Sequence, residues 1–401
     1  LIAARRPVES KRRVYTTSQA GYFLTLMTRN GKTRIVIGMS GGVDSSTAAA
    51  LLVEQGYDVI GVTLKLWKQD CFSASQDLFK CCGSRAAADV RTVCDHLGIP
   101  FHLIDEAEEF QTLVIHHFAA EYKAGRTPNP CILCNEHLKF GTLLRRADEL
   151  GAQFVATGHY ARIELPSSVL SPSDGARSKD EGRVLLKRGR DLRKDQSYFL
   201  FSLRQEQLSR ALFPLGDQTK SETRDAARHR KLKTAEQQES MEICFVPGND
   251  YRSFLQKAGL AQKHRGEIVN LHGQVLGHHN GIEFYTIGQR KGLGLSSPKP
   301  LYVLELDAEK NRVVVGDDSS LGRDEFTVDR CNWIPFADPP PSIEVTVKIR
   351  YNHPGTPATV TPQAGGRARV KLHEPQRAIT PGQAAVFYQD DLVVGGGWIT
   401  R

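Results

Sequence analysis

The stretch Ile35-Val36-Ile37-Gly38-Met39-Ser40-Gly41-Gly42-Val43-Asp44-Ser45-Ser46 constrains this chain more than any other. A β-branched run reads as a strand, which enters a Ser-Gly-Gly turn before a helix opens at Asp44-Ser45-Ser46. Paired glycines let a backbone turn tightly and set its N–H groups against an anion. The helix N-terminus adds unpaired donors and the positive end of its dipole. Residues Gly38 to Ser46 are therefore a candidate phosphate cradle. They lack the common P-loop spacing, so no lysine of the loop is placed to grip a γ-phosphate. Such a cradle suits a pyrophosphate that departs as a unit, with the nucleotide used for adenylation. Taken alone, the glycine pair is equally an ordinary turn between strand and helix.

The elements that follow extend the same pattern. Helical periodicity runs from Thr47 to Gln55, strand character from Asp58 to Lys65, helix from Ser84 to Leu97 and strand from Pro100 to Ile104. Helix returns from Glu106 to Tyr122 and from Asn135 to Leu150, and strand from Phe154 to Tyr160. Alternation of this kind predicts an α/β fold with a parallel sheet covered on both faces. Ligands of such sheets bind at the C-terminal strand ends, so Ser40, the Lys65 end and Gly158-His159 are expected to share one crevice. Thr219-x-x-Glu222 is a capping box for a helix through Arg230.

From Arg265 the pattern shifts to short runs, Gly266–Asn270, Gly281–Ile287, Leu301–Leu306 and Arg312–Gly316, which predict a small, mainly β module. After Gly322, runs at Glu344–Tyr351, Ala358–Thr361, Gly366–Leu372 and Ala384–Gln389 predict a compact antiparallel barrel. The expected division is a basic, disordered leader over 1–31, a nucleotide-using catalytic domain over 32–250, a central module over 251–322 and a barrel over 323–401. Residues 166–182 read as an exposed loop.

Charge narrows the partners only locally. Residues 1–34 hold eight Lys/Arg against Glu9 alone, so nearly all of the +8 net charge lies there. Nucleic-acid binding does not follow from the total. No apolar stretch reaches membrane-span length, and the leader has no apolar core of a secretory signal, so a cytoplasmic protein is expected. Met27 reads as a candidate natural start, with an organelle-targeting remnant as the runner-up.

Eight cysteines are too few for a disulfide scaffold, yet most need an account. Cys94 and Cys331 read as core. Cys131-x-x-Cys134, after Thr127-Pro128-Asn129-Pro130, places two thiols on a stiffened loop at a helix start, where a dipole favours thiolate. Such a pair is a redox couple, half a metal site or a simple turn. Cys244, in the apolar run Met241–Pro247, reads first as core. Cys71, Cys81 and Cys82 are unevenly spaced, which makes zinc a weak reading beside a surface loop with incidental thiols. Asp191–Leu200 and Tyr285–Gly294 each read as either a plain turn or a contact to nucleotide or RNA.

Together these segments resemble the tRNA-specific 2-thiouridylase family, ATP pyrophosphatase-type tRNA sulfurtransferases. The resemblance runs from about Lys32 to the end, through SGGVDSS, AEYKAGRTPNPCILCN, ATGHYAR, KDQSYFL, MEICFVP and TIGQRKGLG. It implies an adenine nucleotide alpha hydrolase-like domain, then a small central domain and a β-barrel. It implies ATP and Mg²⁺ for adenylation of the C2 oxygen of a wobble uridine, then sulfur arriving as a persulfide. Cys244 is then the carrier and Cys134 its partner thiol. Gly38, Met39, Ser40, Gly41, Gly42, Val43, Asp44, Ser45, Ser46, Leu64, Gly158 and His159 hold the nucleotide. Lys194, Asp195, Gln196, Ser197, Tyr198, Gln289, Arg290, Lys291, Arg350 and Tyr351 hold the tRNA anticodon stem-loop. A persulfide-donating sulfur carrier or a cysteine desulfurase is the implied partner.

One position departs from the family pattern. Many members carry aspartate, proposed as an acid or base, where this chain has Cys131. A thiolate would serve as base, or Cys131, Cys134 and Cys244 would instead ligate a 4Fe–4S cluster with one iron left open. The rival enzyme class is another cradle-bearing tRNA ligase, which needs no cysteine pair. The rival non-enzyme is a thiolate metal or sulfur-carrier protein.

Overall fold

A computed structural model describes residues 32–66, 84–164, 180, 182–238, 243–261 and 264–400. The basic leader with Met27, most of the 166–182 loop, and Cys71, Cys81 and Cys82 lie outside the described residues.

Five parallel strands build the first sheet: β1 Arg34–Gly38, β2 Asp58–Lys65, β3 Phe101–Asp105, β4 Phe154–Ala156 and, further along the chain, Ala211–Leu212. Their order is β3-β2-β1-β4 followed by the last of these. Ile35, Val36 and Ile37 are fully buried, as a central strand covered on both faces requires. The strand order reverses at β1, which pairs with both β2 and β4. A crevice therefore opens beyond the C-terminal ends of β1 and β4.

Helices α1 Val43–Glu54 and α2 Ser84–Leu97 follow β1 and β2. Two longer helices, α3 over 107–123 and α4 over 130–149, contain wide i→i+5 turns at Gln111–His116 and Cys134–Thr142. Helix α4 starts five residues earlier than its periodicity predicted. Pro130 at the first helical position and Asn129 as cap set that start. The C-x-x-C pair consequently lies inside the helix, not on a loop before it. Helix α5 Lys220–His229 has the expected capping box, with Glu222 accepting from the Thr219 N–H at 2.8 Å.

Two further strands, β5 Ala161–Glu164 and β6 Leu185–Arg188, pair with each other. Counting Ala211–Leu212 as β7, the central module is a four-stranded sheet of β8 Gly266–Asn270, β9 Val275–His279, β10 Tyr302–Asp307 and β11 Arg312–Gly316, ordered β10-β11-β8-β9. Strand β9 has no alternating pattern and escaped the sequence. The expected strand Gly281–Ile287 is instead a short turn at Ile282–Phe284, because Gly281 takes φ +141° and ends extended pairing. Helix α6 Tyr251–Lys257 precedes this module.

The last sheet contains β12 Gly322–Trp333, β13 Ile343–Lys348, β14 Thr356–Gln363, β15 Arg367–Arg377, β16 Ala384–Gln389 and β17 Leu392–Ile399. Its order is β12-β15-β14-β13-β16-β17-β6-β5, with β12 also pairing β17 so that six strands close a barrel. The β5–β6 hairpin joins the barrel edge although it arises within the α/β region. One apolar cluster accordingly runs from Val36 and Val155 of the first sheet through Tyr198 and Phe201 to Tyr388 and Trp398 of the barrel. No described helix is long and apolar enough to cross a membrane.

Candidate active site

The cradle is braced from within. Gly41 adopts φ +84°, and a Cβ there would stand 3.3 Å from the Ala86 carbonyl oxygen. Gly42 caps α1 without a side chain, so no residue of the loop occupies the first-turn amides. Ser45 and Ser46 donate their hydroxyls to the Gly42 carbonyl at 3.2 and 3.0 Å, and Ser45 accepts from the Ser40 N–H at 3.3 Å. These serines shape the loop more than they present hydroxyls to a ligand. Met39 is also turned inward. Its N–H donates to Val62, its carbonyl accepts from Thr63, and its sulfur lies 3.7 Å from Cys94. Gly38 packs beneath Leu143, Val43 is buried, and Leu64 is half-buried at the edge of the cluster holding Cys134.

The end of β4 meets this loop at Gly158. A Cβ on Gly158 would lie 2.8 Å from both the Asp44 carbonyl carbon and the Ser45 nitrogen. Only glycine permits this approach of one backbone to the start of α1. Gly158→Ala is expected to push the two segments apart, costing about 1–3 kcal/mol and raising the KM for ATP more than it lowers the melting temperature of ATP-free protein would suggest. Parallel thermal melts and ATP titrations check this; an unchanged KM would refute it. His159 is buried between Phe140 and Phe213, with Nδ1 2.7 Å from the Thr157 hydroxyl. Burial drives its pKa well below 6.5, and the nearby Lys139 charge pushes the same way, so the ring is neutral. It supports the crevice wall as an uncharged ring.

The cation missing from the loop comes from a distant helix. Lys220, the first residue of α5, places Nζ 2.8 Å from both carboxylate oxygens of Asp44. The Tyr160 hydroxyl donates to the same carboxylate at 2.8 Å. Lys220 is about nine-tenths buried and sits where the helix dipole disfavours a positive charge. Sequence separation hid this pair, since 176 residues divide its members.

The thiols lie on α4 and on the segment that follows residue 243. Asn129 Oδ1 accepts from the Cys131 N–H at 3.2 Å, fixing the first turn of α4. Cys134 lies in an apolar cluster with Phe110, Phe118, Leu138, Phe245 and Val246, and Cys244 packs against that same cluster. Residues 243–246 form a turn, with the Val246 N–H bonded to the Ile243 carbonyl at 2.8 Å, where a strand was expected. Edge contacts from Phe110 and Phe118 to Phe245 anchor that turn beside Cys134. The expectation of low-pKa thiols fails in this state. Burial pushes Cys131 to about 11, with the neighbouring Cys134 acting the same way, and burial raises Cys134 as well, outweighing the opposing charge of Lys139.

The cluster ligand set is not assembled. Among the described residues, no three His, Cys, Asp or Glu side chains are grouped to hold a metal ion, and the cluster around Cys134 and Cys244 does not include Cys131. This arrangement lends no support to Cys131, Cys134 and Cys244 as iron–sulfur ligands.

The expected substrate segments are partly interior. Asp195 is buried and accepts from Gly189, Ser197 N–H and the Ser197 hydroxyl. Tyr198 is buried and donates to the Ala384 carbonyl at 2.9 Å, while Gln196 accepts from the Tyr160 N–H at 3.0 Å. These groups hold the segment, and Lys194 is its half-buried cation. The segment is nevertheless joined to the thiol helix and the barrel. Asn135 Nδ2 donates to the Phe199 carbonyl at 3.0 Å, and the Phe199 and Tyr351 rings lie 4.5 Å apart. Arg350 beside Tyr351 is exposed. Gln289 bonds within its own loop, to Thr286 and Lys291, leaving Arg290 and Lys291 exposed next to a groove of about 370 Å³ that Lys299 also lines.

Comparison with known proteins agrees with this layout. Residues 33–248 match a family described as the tRNA methyl transferase HUP domain. Residues 252–317 match a tRNA methyl transferase PRC-barrel domain, and 323–399 an aminomethyltransferase beta-barrel domain. The tRNA-specific 2-thiouridylase MnmA of Geobacter metallireducens is 49% identical over 375 residues, covering 93% of this chain and 98% of that protein. The protein of the same name from Moorella thermoacetica is 50% identical over 364 residues, covering 91% and 98%. That from Acidobacterium capsulatum is 48% identical over 379 residues, covering 91% and 98%.

Proposed function

The chain belongs to the tRNA-specific 2-thiouridylase family, and from that premise we propose how its crevice carries out ATP-dependent 2-thiolation of wobble uridine in tRNA. The observation that carries the reading is the convergence of Cys134 and Cys244 on one apolar cluster, with Leu64 linking that cluster to the nucleotide crevice. Methyl transfer, which the domain descriptions name, gives two such thiols no task.

Oxygen at C2 of uracil is a poor leaving group, so it must first be activated. The C2 oxygen attacks the α-phosphorus of ATP, and the bond to pyrophosphate breaks. We assign the pyrophosphate to the loop Ser40–Ser46 and the Asp44–Lys220 pair. Mg²⁺ bound with the nucleotide would neutralise phosphate charge, and Asp44, a third exposed, is the cradle's acid that would face it. The terminal sulfur of a persulfide on Cys244 then attacks C2, and AMP departs with the C2–O electron pair. Cys134 as thiolate attacks the Cys244 sulfur. A Cys134–Cys244 disulfide forms, the sulfane sulfur is reduced to the thiocarbonyl, and an external thiol must reduce the disulfide before the next cycle.

The base must leave its stack to reach this site, at a cost of about a few kcal/mol. An unpaired anticodon base meets that cost most easily. Asp195 to Tyr198 would shape the pocket, with Arg350, Tyr351, Arg290 and Lys291 following the RNA backbone. We place the protein in the cytoplasm, supplied by a persulfide-donating carrier or a cysteine desulfurase, since reduced thiols suit that compartment. The test is incubation of the full chain with ATP, Mg²⁺, unmodified tRNA, a persulfide donor that transfers sulfane sulfur to Cys244, and a reducing thiol. Expected products are 2-thiouridine, AMP and pyrophosphate in equal amounts. Methyl incorporation from S-adenosylmethionine, or ATP use without a change in tRNA, would overturn the assignment.

A further inference from the structure

Lys139 stands apart from the other cations of the catalytic region. It is half-buried, and no hydrogen bond or ion pair engages its ammonium among the described residues. It lies five residues after Cys134 within the wide turn Cys134–Thr142. In an ordinary α-helix a spacing of five points to a different face. The i→i+5 pattern stacks residue 139 one turn below residue 134 instead. The next residue, Phe140, places its ring centroid 6.2 Å from that of His159, so this turn borders both the thiols and the nucleotide side; the Lys139 charge opposes the rise at both thiols and lowers His159. Cys134 marks the sulfur side of the crevice, and His159 the nucleotide side.

We propose that Lys139 is a further catalytic residue, binding the α-phosphate of the adenylated uridine and stabilising AMP as it leaves. The proposal rests on the thiolation reading above and identifies the cation for its second half. Adenylation joins the α-phosphorus to the C2 oxygen, so that phosphate must lie between the nucleotide cradle and the thiols. In the adenylated base this phosphate is a diester with one negative charge. When sulfur adds to C2 and the C2–O bond breaks, the electron pair passes to the phosphate oxygen. The phosphate then becomes a monoester with two negative charges. A cation held there is worth more in that transition state than in the ground state. Pyrophosphate leaves on the opposite side, where the cradle amides and the Asp44–Lys220 pair lie. Lys139 therefore serves the release of AMP, not the release of pyrophosphate.

The test separates the two releases. Full-length wild type, Lys139→Met, Lys139→Gln and Lys139→Arg are mixed with tRNA, Mg²⁺, a persulfide donor, a reducing thiol and ATP labelled at the α-phosphate, and quenched at short times. Wild type should release pyrophosphate and AMP together as thiolation proceeds; if it does neither, the thiolation reading itself fails. In Lys139→Met, pyrophosphate release in the first turnover should stay within about threefold, while AMP release slows about 100-fold. Label should then accumulate on the tRNA. Lys139→Arg should recover most of the AMP rate. Lys139→Gln, which keeps a polar head without charge, should behave as Lys139→Met and stands in if the methionine variant does not fold by circular dichroism. Equal slowing of both releases, or no slowing of either, would overturn the proposal.

Discussion

Cys244→Ala should abolish tRNA thiolation, with a loss of about 10⁴-fold or more, while tRNA-dependent release of pyrophosphate from ATP continues. The alanine removes the sulfur carrier but nothing that touches the cradle. Cys244 is only half-buried, and the turn carrying it is held by Phe245, which contacts Phe110, Phe118 and Phe254. Loss of one partly exposed sulfur should therefore cost about 1 kcal/mol of stability at most. The separation of activities is the informative result. A rival ligase built on the same cradle would keep its full activity without this thiol. A sulfur-carrier protein would show no tRNA-dependent pyrophosphate release in either form. Retained thiolation in the variant would remove Cys244 from the chemistry.

Lys220→Met should both destabilise the protein and disable its use of ATP. Removing one member of a buried ion pair leaves the other charge without compensation, a loss of about 3–5 kcal/mol when both are fully buried. The Asp44 side chain is 33% exposed and keeps the Tyr160 hydroxyl, so the lower end, about 3 kcal/mol, is expected. Pyrophosphate release with tRNA should fall about 100-fold or more, because the cation nearest the cradle is gone. The double variant Asp44→Asn/Lys220→Met distinguishes the two effects. It should recover most of the melting temperature, since no lone charge remains, yet stay inactive with ATP. Recovery of activity in the double variant would make the pair purely structural.

The contrast between these two predictions follows what was legible in the chain. Cys244 stood in a recognisable segment, although the residues alone favoured a core position. Its carrier role came from resemblance to a family. Lys220 was in plain view as the first residue after Thr219, yet nothing local linked it to Asp44. Lys139 was likewise hidden, because helical periodicity of 3.6 puts it on a different face from Cys134, and only the widened turn brings it round. The reactive state of the thiols was misjudged for a related reason. A helix start favours thiolate, but the rings of Phe110, Phe118 and Phe245 around Cys134 depend on residues more than a hundred positions apart. The same limit applies to Ser197 and Tyr198, whose hydroxyls meet Tyr388 and Ala384 of the barrel.

By itself, the sequence determined the α/β region with its glycine turn, the capped helix after Thr219, the barrel and the family, because all of these rest on local patterns. Strand period, turn chemistry and motif order are properties of neighbours along the chain. Only the tertiary structure decided which charges sit beside the cradle, that β5 and β6 belong to the barrel sheet, and that Cys134 and Cys244 share one apolar cluster without Cys131. Electrostatic coupling, desolvation and strand pairing all depend on distance in space, and the chain order of residues such as Asp44 and Lys220 does not encode that distance.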